Sequence, residues 1–306
     1  MQIRPDTPQD YAAIADIHAR AFGCSAEVPS LVALLRQRVA FDPALSLVAE
    51  EGGRLLGHVL FTPELIRLMG ADVSAVNLSP LGVLPEAQRR GVGAALIAAG
   101  HAAAREKGYA LSFLVGHPSY YPRFGYRTHA YGKATLPVAA GDLAPDNLEA
   151  VSPGPDHLPA LAALWQHEEA DVDISIRPGP SLLDWLSPNP AIAARVWLRD
   201  EAIVGYTRVH AGRPARPLFF LAADHAAARA IAAELALAAG QPELTLPLHP
   251  ASASAAAFAQ PAAVQVWEPA MVCPLRPDVY EPYTAAVAVG ERSVGRVIWP
   301  VAFDLE

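Results

Sequence analysis

A chain of 306 residues has room for two domains of ordinary size, and 52% hydrophobic against 18% charged residues describes a globular protein, not a disordered one, although much of the apolar share is alanine. A net charge of -8 argues against a nucleic-acid backbone as partner and mildly favours a cationic small substrate. No run approaches the roughly 20 uninterrupted apolar residues of a membrane span, MQIRPDTPQD carries no apolar signal region, and Cys24 and Cys273 form no metal-ligand spacing, so a cytoplasmic protein without metal or membrane partner, with two reduced and mostly buried thiols, is expected.

In chain order, IRPDTPQDYAAIADIHARAF predicts a short strand, a proline-rich turn and a helix with Ile14, Ile17 and Phe22 at roughly helical spacing, capped by Thr7 or Asp10. AEVPSLVALLRQ predicts a second helix with Leu31, Leu34 and Leu35 on one face. LSLVAEEGGRLLGHVLFTP sets two apolar runs around Glu-Gly-Gly, the pattern of a β-hairpin. A third extended segment, VSAVNLSPLGVL, leads into QRRGVGAAL; a helix of good formers then runs to Gly108, and YALSFLVG is a short apolar strand. Strand, Gly-rich loop, helix and strand make a βαβ crossover downstream of an antiparallel hairpin, so the predicted class is α/β with a mixed sheet.

The second half repeats this order with weaker signals. DHLPALAALWQHEE matches the first helix, RVWLRDEAIVGYTRV matches the hairpin, and Gly240–Pro250 aligns with Gly108–Pro118 without a gap. Internal duplication competes here with chance similarity between alanine-rich helices. Residues 139–155 cluster Pro, Gly and Asp without periodicity, giving a first domain over 1–138, a linker over 139–155 and a second domain over 156–306. Trp165, Trp185 and Trp197 are expected in the core or at its rim, and VYEPYTAAVAVGERSVGRVIWPVAFD is expected to form two or three strands.

The QRRGVGAAL loop concentrates positive charge and bare backbone at a helix entrance. The first N–H groups of a helix lack intrahelical partners and the dipole is positive there, which suits an anion. Gly91 and Gly93 remove side chains that would hold a bulky anion away, and Arg89 and Arg90 add guanidinium charge suited to phosphate. An isolated Gly-x-Gly is as compatible with a plain turn and solvated arginines. No Gly-Lys-Ser/Thr follows, which excludes a P-loop, and Leu96 stands where a dinucleotide fingerprint needs its third glycine.

LGVLPEAQRRGVGAAL resembles the acetyl-CoA loop of the GNAT N-acetyltransferase superfamily, Gln/Arg-x-x-Gly-x-Gly/Ala after a strand and a proline, with Gln88, Gly91 and Gly93 at its fixed positions. The resemblance covers residues 1 to about 135. LLGHVLF is similar to the family's third strand, and GHPSYYPRFGY to the segment after its fifth, with Tyr121 four residues before Gly125. It implies a GNAT acyl-CoA N-acyltransferase fold, with the second half expected as its tandem copy, acetyl-CoA as co-substrate and a small-molecule or peptide amine as acceptor, in a monomer or homodimer. By resemblance, Leu81, Gly82 and Val83 would bond pantetheine, and Gln88, Arg89, Arg90, Gly91, Val92, Gly93 and Ala94 would hold the pyrophosphate. An amine then attacks the thioester directly. Glu27 is the candidate to accept the proton, a Val83 amide to steady the oxyanion, Tyr121 to protonate the leaving thiolate, and Asn77, Ser79 and His117 to line the acceptor groove. In the second half, FLAADH replaces both glycines and adds Asp224, so that copy is expected to be degenerate and without cofactor. Two other functions stay open: a catalytically silent acyl-CoA-binding or sensor protein, and a nucleotide-dependent oxidoreductase.

Overall fold

The computed structural model describes residues 1–305. Along the chain run β1 (Gln2–Pro5), α1 (Tyr11–Ala21), α2 (Glu27–Arg36), β2 (Ser46–Glu51), β3 (Arg54–Leu68), β4 (Ala71–Val83), α3 (Val92–Glu106), β5 (Leu111–Val115), β6 (Gly132–Ala139), β7 (Glu149–Val151), α4 (Leu158–Glu168), β8 (Ser175–Ile176), β9 (Ile192–Arg199), β10 (Ala202–His210), β11 (Phe219–Ala222), α5 (His225–Ala239), β12 (Glu243–Leu246), β13 (Ala263–Val266), β14 (Ala270–Pro274) and α6 (Pro277–Ala288). No helix among the described residues is long and apolar enough to cross a membrane.

The chain divides into two compact units. The first comprises Met1–Leu65, Val73–Ala130 and Trp267–Ala288; the second comprises Ile66–Asp72, Tyr131–Val266 and Val289–Glu306. These differ from a linear division at 138 and 156, because β6 pairs with β12 and β13 while β14 pairs with β5. The expected linker contains a strand, β7, which pairs with β9.

The first unit carries a sheet of order β1-β2-β3-β4-β5-β14. Gly52 and Gly53, at φ 60° and 76°, make the left-handed two-residue turn that joins β2 to β3 with the twist a hairpin requires. β4 and β5 run parallel only from Ala75–Leu111 to Asn77–Phe113. β4 then continues to Val83 through Pro80, which has no N–H to give a neighbouring strand. The two strands therefore part at their C-terminal ends. On one face α3 buries Val92, Leu96 and Ile97 against Val59, Phe61, Val76 and Leu114, each such side chain contributing roughly 1.5–3 kcal/mol. A Cβ at Gly100 would collide with the Phe61 ring, so glycine sets how closely α3 approaches the sheet. The other face packs α1 and α2 through Ile14, Val32 and Val48.

In the second unit, a sheet of order β11-β10-β9-β7 lies between α4 and α5, and a separate sheet has the order β12-β6-β13. The two-residue period of a strand sorts β11: Phe219 and Leu221 join the α4 cluster, Phe220 and Ala222 the α5 cluster. Trp165 and Trp185 are buried in the first of these and Trp197 in the second. The element order β7-α4-β9-β10-β11-α5-β12 follows that of β1-α1-β2-β3-β4-α3-β5.

Three expectations are corrected. Phe22 lies just past the end of α1, 44% exposed, and is not a core residue. Cys24 is exposed in the same turn, at φ 63°, while Cys273 is buried on β14. The segment 279–304, expected as two or three strands, instead begins inside a helix, Pro277–Ala288: Tyr280, Tyr283 and Ala286 recur at three-residue steps and are all buried.

Candidate active site

Where β4 leaves β5, the first unit opens a groove of about 980 Å³. Ser79, Pro80, Leu81 and Val83 of β4 form one wall, and Gly116, His117, Tyr120 and Tyr121 beyond β5 form another. Phe22, Val28 and Leu31 close one end, and the start of α3 faces the other.

The α3 entrance is built to leave its amides free. Gly91, the residue before the helix, adopts φ 82° and offers no side-chain cap, and Arg89 also lies in the left-handed region at φ 60°. A non-glycine residue there costs about 1–2 kcal/mol, a form of strain that concentrates at functional sites. Gln88 donates from Nε2 to the Val83 carbonyl at 3.3 Å, tying the loop to the end of β4. Gln88, Arg89, Gly91, Val92, Gly93 and Ala94 line the groove; Arg90 does not, and its guanidinium pairs with Glu51 at 2.5 Å. The matching helix of the second unit is closed by its own carboxylate: Asp224 accepts from the Ala227 amide at 2.7 Å.

Two tyrosines meet in the groove. Their rings contact edge-to-face with centroids 5.2 Å apart. Tyr120 reaches α3, where a Cβ on Gly93 would lie 2.5 Å from its hydroxyl, and Arg123 covers its ring at 4.7 Å. Tyr121 is seated against Gly116, whose Cβ would collide with the ring. Burial, reinforced by Tyr120, pushes the Tyr121 phenol up to about 12. It therefore stays protonated at neutral pH.

The remaining predicted residues divide. Ser79 and His117 line the groove. Asn77 stands at the last parallel rung, 1% exposed, with neither side-chain amide atom hydrogen-bonded. Glu27 is exposed at the start of α2 and is not part of the groove wall, whereas its neighbour Val28 is. Gly82 turns away from the groove toward α1: a Cβ there would lie 2.6 Å from His18 Nδ1.

Behind Gly82 lies a polar cluster that sequence reasoning did not single out. His18 Nε2 and His58 Nδ1 are 2.7 Å apart, His58 Nε2 and Ser46 Oγ 2.9 Å, and Ser46 Oγ donates to Asp6 at 2.5 Å. Arg36 pairs with the same carboxylate at 2.5 Å. The available signal was His58 itself, a polar residue in the apolar run LLGHVLF.

A mixed sheet with one parallel pair splayed beside an uncapped, glycine-led helix defines an α/β protein suited to an elongated ligand with an anionic end. Residues 2–129 match the family model described as an acetyltransferase (GNAT) domain. Over 124 residues the chain is 39% identical to the uncharacterized N-acetyltransferase YjhQ of Escherichia coli K12, a match covering 40% of this chain and 68% of that protein. Over 132 residues it is 33% identical to the uncharacterized N-acetyltransferase YhbS of the same strain, covering 43% and 76%. The crystal structure of a GCN5-related N-acetyltransferase from Kribbella flavida shares the fold across both units, with TM-score 0.71 and 20% identity over 89% of this chain and 70% of that one. The chain belongs to the GNAT acetyltransferase family.

Proposed function

We propose that this protein is an N-acetyltransferase that moves the acetyl group of acetyl-CoA directly to a primary amine in the groove of the first unit. One observation carries the reading: β4 parts from β5 beyond Asn77 and Phe113, beside an α3 entrance with Gly91 at φ 82° and no side-chain cap. An extended thioester arm fits between diverging strands by bonding to β4 backbone at Leu81, Gly82 and Val83. Its diphosphate meets the free amides of Arg89 to Ala94, where the helix dipole and the Arg89 charge both favour it. Arg90, engaged with Glu51, adds only long-range charge.

Tyr121 is the general acid for the departing thiolate. Its buried phenol holds its proton through neutral pH, and a thiolate formed in the same desolvating groove becomes more basic along with it, which lowers the cost of transfer. The Val83 amide steadies the oxyanion. Ser79 and His117 border the acceptor, and Asn77 contributes only where the acceptor or a water reaches its unpartnered amide. Glu27, exposed outside the groove wall, receives a proton from the amine only through water.

The second unit is the degenerate copy of a duplicated domain. Its Asp224 carboxylate occupies the helix start that a diphosphate would need, so one coenzyme binds per chain. The test is thiol release from acetyl-CoA against a panel of small amines, amino acids and peptides, with calorimetric titration of acetyl-CoA. Binding at one site together with release by at least one amine is expected. Binding without release from any amine would instead leave a coenzyme sensor, and failure to bind would overturn both.

A further inference from the structure

The groove of the first unit reaches through its sheet. Its wall takes Val92, Gly93 and Ala94 from α3 on one face and Ala21, Val28 and Leu31 from α1 and α2 on the other. A coenzyme whose diphosphate lies at the α3 entrance therefore leaves the face of α1 and α2 to the acceptor. That mouth is apolar. Phe22, just past α1, is 44% exposed, Val28 and Leu31 are half-buried, and β4 adds only one polar side chain to the wall, Ser79. The formal charges on the wall are of one sign: Arg89 and Arg123 line the groove, together with the imidazole of His117, and among the described residues no carboxylate does. The acids of the two helices at the mouth are engaged or outside it. Asp16 pairs with Arg20 at 3.7 Å, and Glu27 is exposed beyond the wall. The net charge of -8, which in the sequence favours a cationic substrate, is thus not carried by the groove.

We propose that the acceptor is a primary monoamine on an apolar, uncharged body, an alkyl or arylalkyl amine, which enters between α1, α2 and β4 with that body against Phe22, Val28 and Leu31. This rests on acetyl transfer in the groove and names the acceptor class of that site. The reacting nitrogen sheds its charge in any case, because only a free amine has a lone pair. That pair forms the N–C bond while the carbonyl π pair moves to oxygen, and its return breaks the C–S bond. The thiolate takes the Tyr121 proton, the amine N–H proton passes to water, and water returns one proton to the tyrosinate. A monoamine therefore brings no lasting charge into the mouth. A polyamine, an aminoglycoside or a lysine-rich peptide keeps its other ammonium groups, which would lie on hydrocarbon without a counter-ion and on the same groove as two guanidinium groups of like charge. An apolar body instead takes the surface of Phe22, Val28 and Leu31 out of water, a gain proportional to the area covered.

Thiol release from acetyl-CoA decides it, with 2-phenylethylamine and n-hexylamine compared at one pH against spermidine and the aminoglycoside tobramycin. Both monoamines are expected to exceed both polycations in kcat/KM by at least about tenfold; a smaller ratio, or a reversed one, overturns the proposal. Phe22→Glu places a carboxylate at an exposed position of the mouth. It should narrow the ratio by at least about tenfold at unchanged acetyl-CoA affinity, the latter showing that the unit is folded. An unchanged ratio in folded Phe22→Glu puts the acceptor elsewhere and overturns the proposal. Should no amine release thiol, the proposed transfer fails, and calorimetric titration of the same four amines into the coenzyme A complex still judges the acceptor class. Binding of the monoamines at least about tenfold tighter than the polycations supports it; equal binding, tighter binding of a polycation, or binding of none overturns it.

Discussion

Tyr120 and Tyr121 are adjacent in sequence but differ in surroundings. Tyr120 is half-buried with its hydroxyl at Gly93 and Arg123 over its ring; Tyr121 is more deeply enclosed, against Gly116 and Tyr126. Removing each hydroxyl should separate their roles. Tyr121→Phe is expected to lower acetyl transfer by about 10²–10⁴-fold while leaving acetyl-CoA affinity intact, by thiol release and calorimetry respectively. Tyr120→Phe should keep kcat, since its hydroxyl abuts α3. Equal loss in both variants would contradict the assignment of Tyr121. The motif made Tyr121 legible, because its distance from Gly125 is a local spacing. His18 was illegible, since what distinguishes it is an unpartnered nitrogen behind Gly82, and partnership is a property of the folded neighbourhood.

At the scale of elements, α3 and α5 are two helices of similar length and composition with opposite entrances. α3 begins at a glycine whose backbone turn leaves the first amides open; α5 begins at Asp224, which satisfies one of them. Asp224→Ala is therefore expected to cost about 0.5–2 kcal/mol of stability and leave acetyl-CoA affinity unchanged, read by denaturant unfolding and calorimetry. Gly91→Asp should do the reverse to binding: a carboxylate beside the amides repels a diphosphate, and acetyl-CoA affinity should fall at least tenfold, a loss of about 1.4 kcal/mol. Tight coenzyme binding by Gly91→Asp would show that the diphosphate lies elsewhere. The hairpin at Gly52–Gly53 and both long helices were readable because turn glycines and helical periods act over a few residues. α6 was misread because the alternating tail AAVAV imitates a strand, while Tyr280 and Tyr283 follow the helical period.

For the molecule as a whole, buried histidines set the response to acid. Burial, foremost among the causes, holds His18 down to about 2, and His101 and His249 to about 4. Their unfolded value is about 6.5, so between about 4 and 6.5 the unfolded chain binds more protons than the folded one. Stability from these groups is complete above about 6.5 and declines as pH falls, by up to about 1.4 kcal/mol per pH unit for each. Glu168 acts the other way: raised to about 7 by burial, it adds stability at low pH that is lost as pH climbs from about 4.3 toward 7. Asp304, also raised by burial, acts in the same sense as Glu168, and the three histidines outweigh these two carboxyls. Tm should fall steadily from pH 6.5 to pH 4 in scanning calorimetry, and a maximum near pH 5 would contradict the burial of neutral imidazoles.

The order of elements in each half, the anion-binding helix entrance and its family resemblance follow from the sequence alone, because each depends on neighbours within a few tens of residues. Only the tertiary structure decided that β14 completes the first sheet and that β6 stands between β12 and β13 in a separate one, since pairing between strands more than a hundred residues apart leaves no local pattern. It alone also decided that Glu27 stands outside the groove wall while His18 is buried behind Gly82, because burial and hydrogen-bond partnership arise when separate strands and helices are brought together.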